Sequence, residues 1–179
     1  MDLLTIILAC APNVQPVLIE NIIAHESEGI PFAVNVNGVK VGPDQPASFD
    51  EAIKLASHYI SLGYSVDMGL GQINSKNLGW LGLSVEQVFD PCNNVSATET
   101  VFLEAYDRSR MIFSGDMAVA AALSAYNTGN FHDGFRNGYV ASILEKFSPH
   151  KLNAPIFVQS PAPTEFNQWG AFFSEEVKF

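Results

Sequence analysis

Val17-Leu18-Ile19-Glu20-Asn21-Ile22-Ile23-Ala24-His25-Glu26-Ser27 is the stretch from which the fold of this 179-residue chain is read. Leu18, Ile19, Ile22 and Ile23 recur at i, i+3 and i+4, the period of a helix with one apolar face. Pro16 suits a first turn, and Gly29 and Pro31 stop the run, so the spacing predicts a helix over 15–28. Glu26 follows Ile19, Ile22 and Ile23 by seven, four and three residues, which puts it on the apolar stripe. A carboxyl there is partly desolvated, so its pKa rises and it can hold a proton near neutral pH, as a general acid must. The same spacing also fits a helix-end carboxyl satisfied by a neighbouring hydroxyl. Glu28 lies about 200° further round and faces water. His25, about 100° round, reads as an ordinary surface or core histidine.

Helical signals continue outward from this segment. Residues 32–47 read as a loop or small hairpin, with Val39 and Val41 as the strand candidates. Ser48-Phe49-Asp50-Glu51 is a capping-box pattern before a helix that stops at Gly63. Residues 67–80 are glycine-rich, and Trp80 reads as core, with a sugar platform as the alternative. Ser84 caps a short helix near 85–89, which Asp90-Pro91 breaks. Ser96-Ala97-Thr98-Glu99 repeats the capping-box pattern before a helix over about 98–112. Asp116 is placed to cap an alanine-rich helix over 117–126, and Tyr139 to Phe147 forms a last one. Residues 149–179 change character: Pro149, Pro155, Pro161 and Pro163 exclude a long helix. Phe157, Phe166, Trp169, Phe172 and Phe173 make this tail too aromatic for a simple linker. The organisation expected is one domain over 1–148 and a tail over 149–179.

Composition narrows the function classes. Nine Lys plus Arg against nineteen Asp plus Glu give a net charge of −10, which leaves no electrostatic route to nucleic acid. Charged residues are 16% of the chain, too few for a disordered one. No apolar run reaches the roughly 18 residues of a membrane span. The apolar start, Met1 to Cys10, has no basic region and no clear cleavage site, and reads as a helix of the fold. His25, His58, His132 and His150 are scattered, and no metal-ligand spacing or cofactor motif appears. Cys10 and Cys92 allow one disulfide or two free thiols.

Three segments join Glu26-Ser27 in order: Met68-Gly69-Leu70-Gly71-Gln72-Ile73-Asn74, Ala125-Tyr126-Asn127-Thr128-Gly129, and Gly138-Tyr139-Val140. Together they resemble the goose-lysozyme-like (SLT) lytic transglycosylases, whose pattern is Glu-Ser, Gly-Leu-Met-Gln, Ala-Tyr-Asn-x-Gly and a further Tyr at a helix start. Cys10-Ala11-Pro12, Asp90-Pro91-Cys92 and the spacer of roughly 40 residues between Glu26 and the glycine-rich loop narrow the resemblance. They look like the VirB1-like group attached to bacterial type IV secretion systems. Three positions differ from the pattern. Glu28-Gly29-Ile30-Pro31 replaces Gly-Phe-Asn-Pro, Asn35 stands where many relatives have serine, and Gly71 replaces the methionine. Met68 is the neighbour placed to compensate.

The resemblance implies a mainly α, lysozyme-like domain with a small β or loop insertion near 34–45. Its cleft would lie between the Glu26 helix and the Gly69–Asn74 loop, lined by Tyr126 and Tyr139. It implies peptidoglycan glycan strands as substrate, cleaved between N-acetylmuramic acid and N-acetylglucosamine. Glu26 would be the one catalytic acid and base, and the muramoyl C6 hydroxyl the nucleophile, giving a 1,6-anhydro sugar. An internal nucleophile supplies its own proximity, whereas other glycosidases need a second carboxylate roughly 5 to 9 Å away. Asp67 and Asp44 are the candidates for one, and both read as solvated loop residues. Substrate contacts would come from Ser27, Met68, Gly69, Gly71, Gln72, Asn74, Tyr126, Asn127 and Tyr139. Ser27 would brace the backbone near Glu26, and Asn127 would cap its helix. Gln72 and Asn74 fit sugar contact or loop bracing, and the two tyrosines fit a hydroxyl on Glu26, on sugar, or in the core.

A Cys10–Cys92 disulfide follows as the working expectation, pinning the N-terminal segment to the loop before the long helix and requiring an oxidising compartment such as the periplasm. The tail would pack on the domain or engage secretion-system components. Two other readings stay open: a goose-type lysozyme hydrolase, and a wall-binding assembly factor with a vestigial Glu26.

Overall fold

The computed structural model describes residues 2–146. The helices are α1 (Leu3–Cys10), α2 (Pro16–Glu26), α3 (Phe49–Ser61), α4 (Leu78–Leu81), α5 (Val85–Val88), α6 (Pro91–Ser109), α7 (Asp116–Thr128), α8 (Asp133–Arg136) and α9 (Tyr139–Lys146). Three short strands, β1 (Val34–Val36), β2 (Val66–Met68) and β3 (Ile73–Asn74), form an antiparallel sheet in sequence order. The domain boundary expected at 148 and the tail over 149–179 lie outside the described residues.

Two apolar cores organise these elements. The first joins α1, α2, α6, α7 and α9 through Ile7, Leu18, Ile19, Ile22, Ile23, Phe102, Leu123 and Ile143. The second packs one face of the sheet, Val34, Val36, Val66, Met68 and Ile73, on Ala52 and Ala56 of α3 and on Val88 and Phe89. Helix α6 serves both, with Phe102 in the first core and Ala97 in the second. Leu70, from the turn between β2 and β3, plugs into the first core and ties the smaller lobe to the larger.

Several local expectations are corrected. The insertion contributes only β1: Val34 and Val36 alternate with Asn35, and the strand stops at Asn37-Gly38, where Gly38 has φ +85°. Val39 and Val41 lie outside any strand, and Val41 is 83% exposed. Helix α6 starts seven residues before the expected position. Asp90 caps it through a bond from the Asn93 amide, and Pro91 sits in its first turn, the arrangement that favours an N-terminus. Ser96 and Glu99 are therefore mid-helix. Buried Glu99 instead accepts bonds from the Asn13 and Val14 amides and the Asn13 side chain, anchoring the α1–α2 connection. Asp116 lies inside the first turn of α7, with Gly115 at the cap position.

Cys10 and Cys92 are joined in a disulfide with their Cα atoms 5.5 Å apart. It links the end of α1 to the first turn of α6, not to a loop before it. Among the described residues no helix is long and apolar enough to cross a membrane.

Candidate active site

A cleft of about 1400 Å³ runs between the two cores, and Glu26 lies in its wall. Helix α2 ends at Glu26 because Ser27 turns out of it. The Ser27 amide closes on Ile23 O, its hydroxyl donates to Leu70 O at 2.7 Å, and Glu28 adopts a left-handed φ of 55°. The chain thus leaves the helix at Glu26, short of the expected 28, and Glu28 is exposed as expected, but because it lies in the left-handed turn beyond the helix.

The Glu26 carboxyl is pushed up to about 7. Burial is the main cause, the negative charge of Asp67 adds to it, and the Tyr139 hydroxyl opposes both. Its place at a helix C-terminus works in the same direction as burial, since the helix dipole disfavours a negative charge there. The Tyr139 hydroxyl is buried without a hydrogen bond of regular geometry, and Glu26 is the group it acts on. Burial and the nearby Glu26 charge raise the phenols of both Tyr126 and Tyr139, so both are neutral donors at neutral pH.

The sequence-predicted residues divide into two sets. Glu26, Ser27, Gln72, Asn74, Tyr126 and Asn127 border the cleft. Met68, Gly69, Gly71 and Tyr139 stand behind its surface. Met68 is fully buried against the sheet, so it is not exposed to take over a methionine's contact with sugar. Tyr139 is 2% exposed and meets His25 edge-on. The glycines permit close approach by the protein itself. A side chain on Gly69 would strike Asn94, and one on Gly71 would strike Thr98 and Tyr126.

Those contacts expose two positioning residues that the sequence reading missed. Asn94 of α6 accepts from the Gly71 amide and donates to Met68 O and Val88 O, all while buried. Thr98, one turn later, closes on Gly71. From the other side Tyr126 donates its hydroxyl to Gly71 O at 2.7 Å. The glycine-rich turn is therefore clamped by α6, α7 and Ser27. Gln72 takes a left-handed φ of 50° and donates to Gly69 O and Ala33 O, a bracing role. Asn127 accepts from the Asn137 amide, tying the end of α7 to the start of α9.

Asp67 departs from its expected place as a solvated loop residue. It sits mid-strand in β2, paired across the sheet with Asn35 and Asn74. That row is the face of the sheet turned to the cleft. Its oxygens accept amide bonds from Asn35, Asn37 and Asn74 at 3.3, 2.8 and 2.6 Å. Asp44 is exposed and does not line the cleft. Trp80, expected in a core, is half-buried on the cleft wall with its indole N–H on Asn77.

A helical lobe and a small sheet flanking one cleft, with a proton-holding glutamate at the end of the first long helix, define a class that comparison with known proteins identifies. Residues 4–145 match the Transglycosylase SLT domain, and the chain belongs to that family. It is 36% identical over 129 residues to the type IV secretion system protein virB1 of Brucella abortus biovar 1, covering 71% of this chain and 54% of that relative. It is 34% identical over 170 residues to protein virB1 of Rhizobium radiobacter, covering 91% of this chain and 70% of that relative. The chain therefore spans about half the length of the Brucella relative. No solved structure matches it.

Proposed function

We propose that this chain is a peptidoglycan lytic transglycosylase that opens the cell wall locally for a type IV secretion machine, acting in the periplasm. The observation that carries the reading is the Glu26 carboxyl, half-buried in the wall of a long cleft, where desolvation pushes its pKa up to about 7. Such a group holds its proton at neutral pH and takes one back when ionised, which lets one residue serve as both acid and base. Protonated, Glu26 donates to the glycosidic oxygen. Ionised, it receives the proton of the muramoyl C6 hydroxyl as that oxygen attacks its own anomeric carbon, closing the 1,6-anhydro ring. Tyr139 stands beside the carboxyl as the neutral donor that limits how far burial raises it. Family membership supports the substrate class, and the names of the relatives support the link to secretion.

Digestion of purified peptidoglycan by the wild type and by Glu26→Gln tests this. Anhydro-muramoyl products from the wild type and none from the variant are expected. Products heavier by one water would overturn the lyase reading in favour of a hydrolase. Wall binding without products from either protein would favour an assembly factor.

A further inference from the structure

Lys76 and Trp80 stand outside the catalytic set, yet both border the cleft. Their backbone is fixed from within the protein. The Asn74 side chain accepts from the Lys76 amide and opens the 3-10 turn Ser75–Asn77, which runs straight on into α4. Leu78 and Leu81 turn into the second core, and Gly82 closes α4 in the left-handed region at φ +66°. Side chains four residues apart share one face of a helical turn, so Lys76 and Trp80 are presented together to the cleft. The half-buried indole donates its N–H to Asn77 Oδ1 at 3.1 Å, which pins the ring and occupies its polar edge. What the ring then offers a ligand is an apolar face. Charge along the cleft is unequal. Glu26, Glu28, Asp67 and Glu104 put four carboxyl groups in its wall. Arg108 is engaged by Glu104 and lies 5.6 Å from the centre of the Phe131 ring. Among the described residues, Lys76 is the one Lys or Arg lining the cleft that forms no ion pair, and it is exposed.

We propose that Lys76 and Trp80 form a subsite for a peptide-bearing sugar of the glycan strand: the sugar ring lies on the indole, and a carboxylate of its stem peptide pairs with the ammonium. This rests on the reading of peptidoglycan as substrate given above. A pyranose carries C–H groups on its faces and hydroxyls around its rim, so its face suits a pinned aromatic plane. The stem peptide is long, flexible and anionic. With a net charge of −10 the chain gains nothing from long-range attraction to such a polymer. The cleft wall repels a stem carboxylate beside Glu28 and attracts it at Lys76. The ammonium therefore decides on which side of the cleft the stem rests, and with it the register of the strand past Glu26. A lysine suits this task, because a compact point charge on a flexible stalk reads charge without demanding one geometry. The subsite binds and orients; it makes and breaks no bond.

The experiment measures binding by calorimetry at low ionic strength, with each substitution made in the full chain carrying Glu26→Gln so that no probe is cleaved. The probes are soluble glycan strands with tetrapeptide stems, their amino groups acetylated, and the same strands with the stem carboxylates converted to amides. Lys76→Met should weaken binding of the carboxylate strands about fivefold, the upper range of an exposed ion pair. On the amide strands its effect should stay below about twofold, so the two changes are coupled and not additive. Added salt should erase the difference. Lys54→Met removes the same charge from α3, outside the cleft, and should alter neither probe. Trp80→Ala should weaken both probes about tenfold, and Trp80→Phe should restore most of the loss. Thermal unfolding confirms that each variant is folded. Equal losses on the two probes for Lys76→Met, no loss at all, or the same loss for Lys54→Met would overturn the proposal. So would Trp80→Ala binding within about twofold of its parent. Failure of the parent to bind either probe would overturn both the subsite and peptidoglycan as substrate. The expected binding losses beside a wild type that releases no anhydro-muramoyl product would support the subsite and overturn the lyase reading only.

Discussion

Replacing Glu26 by Gln should stabilise the fold above neutral pH and leave its stability unchanged in acid. The carboxyl titrates near 7 in the folded protein against 4.5 in its ordinary state. Below pH 4.5 both folded and unfolded chains hold the proton, and the group contributes no difference. Between 4.5 and 7 the unfolded chain releases the proton while the folded one keeps it, so stability falls as pH rises. Above 7 both are ionised, and the full penalty of about 3 kcal/mol persists. Glutamine is nearly isosteric, cannot ionise, and retains an oxygen for the Tyr139 hydroxyl. Urea unfolding of both proteins at about pH 4 and about pH 8 should show midpoints that agree in acid and separate in base. For a domain of this size a difference of about 3 kcal/mol corresponds to roughly 6–12 °C in melting temperature. A stability difference that is the same at both pH values would refute the argument, because it would mean that packing, not charge, distinguishes the two side chains. The measurement needs no substrate, so it tests the electrostatics apart from the chemistry.

Two further outcomes follow from the framework that holds the site. Gly71→Ala would place a methyl onto Thr98 Oγ1 and 2.9 Å from the Tyr126 hydroxyl; overpacking of about 1–3 kcal/mol is expected by urea unfolding, and an unchanged midpoint would show that the turn is looser than described. Reducing the Cys10–Cys92 bond, which closes a sequence separation of 82 residues, should cost about 4–5 kcal/mol in the chain-entropy model. Guanidinium unfolding with and without reductant reads it, with intact mass confirming the gain of two hydrogens; coincident unfolding curves would deny the cross-link a stabilising role.

Most helices were legible because their apolar residues keep a helical period and their ends carry caps. Glu26 was legible for the same reason, since its face follows from its distance to Ile19, Ile22 and Ile23. What escaped was set by contacts distant in sequence. Ser96-Ala97-Thr98-Glu99 has the composition of a helix start, yet Asp90-Pro91 begins the helix earlier and Glu99 is spent on the Asn13–Val14 backbone. Residues 67–80 read as a glycine-rich stretch because the strands there, β2 and β3, are two or three residues long, too short for alternation to show. Asp67 is singled out as a candidate second carboxylate but reads as a solvated loop residue with them: its neighbours Asn35 and Asn74 become neighbours only once the register of the sheet is set.

One departure from the family pattern, Gly71, has a physical reason in the packing around it. The position usually held by methionine is Gly71, and the space that a side chain would need is filled by Thr98 from α6 and Tyr126 from α7. The adjacent Met68 cannot substitute, because strand alternation turns it into the second core while Asp67 turns outward. Asn94 of α6 bonds the backbone of Met68 and Gly71 together on the same side of the turn. The turn in this chain is held by buried hydrogen bonds from Asn94, Tyr126 and Ser27. The wall opposite Glu26 is accordingly built of amides, one carboxylate and Trp80, a surface suited to the hydroxyl and N-acetyl groups of a glycan strand.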